Sequence, residues 1–118
     1  MMDLNDTQKK AIDVSKKIKE VMGDRISTTK IYDVVHETYQ NYYAFKIGFI
    51  SYDFFSTVFQ YELDVIDCYI ECGKHDCISL VKGKHCYSDT DLVDYFNKVK
   101  EELELRIPDK YLIAKGWK

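Results

Sequence analysis

The chain has 118 residues, 46% apolar and 31% charged, with one Pro and five Gly; this describes one compact domain and excludes a disordered tail or a multidomain enzyme. Its 17 basic and 20 acidic residues leave a net charge of −3. That balance disfavours direct nucleic-acid binding and attachment to anionic membranes, since both need a basic excess.

The start, Met1-Met2-Asp3-Leu4-Asn5-Asp6, is polar and acidic, and no apolar run approaches the roughly 18 residues of a membrane span. No export signal and no membrane partner are therefore expected, and the expected compartment is the cytoplasm. From Leu4 to Met22, the positions Leu4, Ala11, Val14, Ile18, Val21 and Met22 recur at helical spacing, with Asn5 or Asp6 as cap and Gly23 as stop. Ile31, Val34, Val35, Thr38, Tyr39 and Tyr42 also fit the helical template, which predicts a second helix over 29–41, although Val, Ile and Thr suit strands as well. On that helix His36 would point away from the apolar stripe.

Beyond Asn41 the period shortens to two, and Tyr43, Phe45, Ile47 and Phe49 predict a strand. A second alternation runs over 55–65, with Phe55, Thr57, Phe59 and Tyr61 opposite Ser56, Gln60, Glu62 and Asp64. The parity then flips to Ile66, Cys68, Ile70 and Cys72. Adjacent Val65 and Ile66 cannot face one core in a regular strand, so a bulge or tight break is expected there. Gly73-Lys74-His75-Asp76 reads as the loop of a hairpin between 66–72 and 77–82, and Lys82-Gly83-Lys84 as a turn. Ser88 or Asp89 would cap a C-terminal helix with the buried stripe Leu92, Phe96, Val99, Leu103 and Ile107; Pro108 ends it or opens a last turn over 109–115. The expected fold is α+β, an antiparallel sheet of three to four strands with two N-terminal helices and one C-terminal helix packed on one face, in the order α-α-β-β-β-β-α.

Cys68, Cys72, Cys77 and Cys86 form an even set, but without an export signal they read as reduced thiols buried as small hydrophobes. A zinc site from Cys72, His75 or His85, Cys77 and Cys86 lacks a paired C-x2-C knuckle, and Cys68 and Cys72 on one strand stand roughly 13 Å apart. A cysteine nucleophile at Cys77 or Cys86, with His75 or His85 as base, lacks an orienting third residue. No Gly-rich phosphate loop or dinucleotide fingerprint occurs. The residues therefore call for no catalytic group, metal or cofactor. Trp117, next to the end, either folds back on the core or stands as an exposed anchor.

The clearest asymmetry is in charge. Residues 31–71 hold Asp33, Glu37, Asp53, Glu62, Asp64, Asp67 and Glu71 against Lys46 alone, together with seven of the ten Tyr and five of the six Phe. If one sheet face is covered by helices, Glu62, Asp64, Asp67, Tyr69 and Glu71 project from the other. Carboxylates steer a basic partner, and phenol rings supply contact area at low entropic cost. The expectation is a non-catalytic inhibitor or neutraliser of a basic protein, such as a nuclease toxin or a defence effector, acting by occlusion through that face. The rival expectation is a homo-oligomer that sequesters a small anionic, nucleotide-like ligand between its subunits, with aromatic rings for stacking and the hairpin lysines Lys74, Lys82 and Lys84 for phosphate.

Overall fold

The computed structural model describes residues 4–118; Met1, Met2 and Asp3, the first part of the polar start, lie outside it. Helix α1 spans Asp6–Met22 behind a capping box in which the Asn5 carboxamide accepts from the Gln8 N–H at 2.8 Å and the Gln8 side chain accepts from the Asn5 N–H at 2.9 Å. It buries Ala11, Val14, Ile18 and Met22, the stripe its spacing predicts, and Gly23 follows with φ 59.

The second helix expected over 29–41 does not form. Residues Ile26–Glu37 are strand β1, paired antiparallel with β2, Tyr42–Ser51. The register shifts by one residue between Ser27 and Lys30 and again between Tyr32 and Val35, and Thr28 and Asp33 in the two bulges have φ 55 and 52. Each bulge resets the alternation, so the residues facing the helices are Ile26, Ile31 and His36, five apart instead of two. Of the positions that fit the helical template only Ile31 is among these core-facing residues; the bulges break the two-residue alternation that would mark a strand, while the β-branched residues suit the extended backbone. His36, expected on an exposed helix face, is half-buried: its Nδ1 is 2.8 Å from the hydroxyl of buried Thr7, and its ring lies 5.0 Å from that of Tyr43.

Strands β3, Phe55–Glu62, β4, Val65–Glu71, and β5, Cys77–Ser79, extend the sheet in the order β1-β2-β3-β4-β5, and the two-residue β6, His85–Cys86, pairs with β4. All pairings are antiparallel, and the sheet has six strands, not three to four. The parity flip has a simple cause. Glu62 pairs with Val65, so Leu63 and Asp64, with φ 48 and 70, form a tight hairpin turn just before the pair that cannot share a face.

After a 3-10 turn at Tyr87–Asp89, helix α2 spans Leu92–Glu104 with Asp91 as cap, not Ser88 or Asp89, and α3 spans Asp109–Ala114 after Pro108. Helices α1 and α2 pack side by side on one sheet face, where Phe45, Phe59, Ile47, Ile18, Phe96 and Leu103 are fully buried. Among the described residues no helix packs on the other sheet face. Trp117 folds back: its ring meets Tyr52 edge-on at 5.2 Å and its indole N–H donates to Asp24 at 3.2 Å. Among the described residues no helix is long and apolar enough to cross a membrane.

The β2–β3 connection is held unusually firmly. Tyr52 and Asp53 have φ 54 and 62, a conformation that costs a bulky residue about 1–3 kcal/mol. Tyr52 is fixed there by burial, by its N–H donating to the Arg25 carbonyl at 2.7 Å, and by its hydroxyl donating to Glu104 at 2.5 Å.

Candidate functional site

The helix-free face is read off the pairing register. Lys30, Gly48, Val58, Tyr69 and Ser79 run across it in one row, and Tyr32, Lys46, Gln60 and Asp67 in the next. Ser56 and Glu71 border one end, Tyr42 and Glu62 the other. Val58 is only 1% exposed although no helix covers it. Two phenols do: Tyr69 is its direct neighbour on β4, and Tyr32 reaches across Gly48, where an added Cβ would meet the Tyr32 ring at 3.3 Å. The missing side chain at Gly48 lets an aromatic ring from the edge strand lie over the centre of the sheet.

Burial raises the Tyr69 phenol to about 12, with Tyr32, Glu71, Cys77 and Asp67 adding to it, and burial followed by the Glu71 and Asp33 carboxylates raises Tyr32. Both hydroxyls therefore remain donors at neutral pH. The hydrogen bond to Glu62 raises Tyr42 in the same direction. One shallow hollow, of about 240 Å³, is lined by Lys30, Tyr32, Gly48, Ser56 and Glu71, and a second, of about 260 Å³, by Asp33, Tyr42, Lys46, Gln60 and Glu62 among others.

The five acidic-face residues expected from sequence separate into two groups. Glu62, Asp67, Tyr69 and Glu71 lie on the open face. Asp64 does not; it sits in the β3–β4 turn, where its carboxylate accepts from the Ser88 N–H at 3.1 Å and the Ser88 hydroxyl at 2.6 Å while its carbonyl accepts from the Tyr87 N–H. Asp64 is a clasp between that turn and the 3-10 turn before α2. Asp64→Ala is expected to lower stability by about 1–2 kcal/mol, as loss of a cap-like carboxylate does, which the urea unfolding midpoint measures.

Two residues join the face from the strand mistaken for a helix: Lys30 and Tyr32. Lys30 and Lys46 make the face less negative than the sequence segment suggested, and Lys46 is paired with Asp33 at 3.7 Å. No residue pattern pointed to Tyr32, since its position depends on the bulges and on Gly48.

The hairpin lysines do not converge. Lys74 lies in the loop beyond the Glu71–Cys77 pair, whereas Lys82 and Lys84 lie between the Leu80 contact with Cys68 and the His85–Ile66 pair, on the order of 13 Å back along the strand. Within one copy of the chain, Lys74 therefore shares no centre with Lys82 and Lys84. The cysteines disperse as well: Cys68 alone is buried, Cys72 and Cys77 are exposed, and all four are free thiols. Cys77 pairs with Glu71 and Cys86 with Val65, about 20 Å apart along β4, so they share neither a metal nor a histidine. His85 instead packs edge-on against Tyr95, its Nε2 lying 2.9 Å from the Lys82 carbonyl oxygen. Among the described residues no three His, Cys, Asp or Glu side chains are grouped to hold a metal ion.

What the open face offers chemically is a central pair of phenol rings, hydroxyl donors and a border of carboxylate acceptors. No protein-family model, no curated protein and no solved structure matches this chain, so its function is argued from these side chains alone.

Proposed function

We propose that the protein is a non-catalytic inhibitor acting in the cytoplasm, of the toxin-immunity or anti-defence type, which captures a basic macromolecular partner on the open sheet face and occludes its active site or nucleic-acid channel. The observation that carries this reading is the Tyr32–Tyr69 platform bordered by Glu62, Asp67 and Glu71, with no helix over it. Aromatic rings braced by the sheet lose little freedom on contact, and the carboxylates around them attract and orient a basic surface. Of the two partner classes expected from sequence, the basic protein is favoured by this arrangement; a small anion would need lysines from two copies, because Lys74 is remote from Lys82 and Lys84 within one.

The test immobilises wild type, Asp67→Lys/Glu71→Lys and Tyr69→Ala and measures which basic host proteins each retains from a lysate at rising salt. A specific basic protein retained by wild type, lost as salt rises, and held about tenfold more weakly by the charge-reversed and Tyr69→Ala proteins is the expected result. A partner held equally by all three proteins rules the face out.

A further inference from the structure

We propose that the β2–β3 turn, at the Ser56 and Glu71 border of the open face, is a self-association surface on which Phe54 of one copy enters an apolar hollow on a second copy of this chain. Phe54 is 81% exposed, yet it stands on a rigid base. The two residues before it are the positive-φ pair Tyr52 and Asp53: Tyr52 is locked into the core, and Asp53 is tied to Lys115 at 2.9 Å and to the Tyr111 hydroxyl at 3.2 Å. The Phe54 ring is braced from behind by Phe55, edge-on at 5.2 Å. A ring held in water in a fixed pose meets a partner with little left to order.

The projecting ring forms one wall of a hollow of about 350 Å³ between the β2–β3 turn and the α2–α3 corner, whose other walls include Asp53, Phe55, Arg106, Pro108 and Tyr111. Roughly 150 Å³ is enough for a benzene ring. A bump and a dip side by side on one surface become mutually complementary when a two-fold axis passes between them, since each copy then offers its bump to the other's dip.

Charge selects a second copy of the chain as the occupant. The residue preceding the bump is Asp53, and the cation lining the dip is Arg106, so inserting Phe54 brings the carboxylate of one copy toward the guanidinium of the other at both halves of the interface. Both groups have capacity for this. The contacts of Asp53 fall on Oδ2, and among the described residues Arg106 uses only Nη1, toward Glu102. Of the open-face residues, Glu62, Asp67 and Tyr69 line neither this hollow nor the neighbouring one, whereas Glu71 shares the neighbouring hollow with Phe54 and Arg106, so the dimer contact adjoins the Glu71 border of the open face.

Sedimentation velocity of the full chain at about 100 µM, which saturates a micromolar interface, tests the proposal. The expected wild-type mass is twice 14.0 kDa, falling to 14.0 kDa in Phe54→Ser and in Arg106→Asp, with circular dichroism unchanged because both side chains lie at the surface. A wild-type mass of 14.0 kDa, or either variant keeping the wild-type mass, overturns it. Capture on the open face is read by retention of a basic protein and self-association by mass, so the failure of one proposal is distinguishable from the failure of the other.

Discussion

Phe59→Ala is expected to destabilise the protein by about 3–5 kcal/mol, a fifth or more of the roughly 5–15 kcal/mol available to a domain of this size. Phe59 is fully buried on the third strand of the sheet. Its ring meets Phe45 at 6.1 Å within the sheet and Tyr95 and Phe96 of α2 at 6.1 and 5.5 Å, so it ties the two layers together. Truncation removes the transfer free energy of the ring and leaves a cavity. The rigid strands on one side and α2 on the other resist collapsing into it. Urea unfolding checks this through the midpoint at constant slope. A loss under about 1 kcal/mol would mean that the helix layer is held by other contacts.

The parts of the fold legible in the sequence were those where one period ran unbroken. The stripe Ala11, Val14, Ile18 and Met22, the alternation Phe45, Ile47 and Phe49, and the set Phe96, Val99 and Leu103 all face the core as their spacing requires. The parity flip at Val65 and Ile66 was legible as a break, and the turn lies two residues upstream. Strand β1 was not legible, because bulges at Thr28 and Asp33 break the two-residue alternation by which a strand is read. Strand β6 is two residues long and follows from its pairing with Val65 and Ile66, not from any pattern of its own.

The same distinction separates the parts of the candidate face. Glu62, Asp67, Tyr69 and Glu71 followed from alternation once one side of the sheet was assigned to helices. Asp64 was misplaced because a turn residue keeps the parity of a strand until the turn is located, and its bonds to Ser88 come from a segment more than 20 residues away. Tyr32 depends on the β1 bulges for its facing and on Gly48 for its room. A tertiary condition of that kind leaves no trace in local spacing.

Stability is expected to fall steeply in alkali, and Cys68, Tyr95 and Tyr52 supply the cause. All three are at most 2% exposed, and burial raises each well above its ordinary value of 9.0 for the thiol or 10.0 for the phenols. The hydrogen bond from Tyr52 to Glu104 raises it further, against a smaller opposing effect of Arg25. Each group thus holds its proton more tightly in the folded protein than in the unfolded chain. Above the unfolded values the unfolded chain has shed protons that the folded state retains, and the free energy of unfolding declines as pH rises. The contribution is complete below about pH 9; above that, each group takes away up to about 1.4 kcal/mol per pH unit until its own folded value is reached. By about pH 11 the thiol, two units past its ordinary value, and the phenols, one unit past theirs, together remove about 5 kcal/mol, comparable to the stability of a small domain. Urea midpoints measured from about pH 8 to 11 should therefore be flat and then drop. Tyr95→Phe separates this cause from general charge repulsion. The Tyr95 hydroxyl is buried with no hydrogen-bond partner, so its removal is expected to raise stability by about 1 kcal/mol at neutral pH and to make the alkaline decline shallower. A Tyr95→Phe protein whose decline matched the wild type in steepness would place the alkaline loss elsewhere than in this buried phenol.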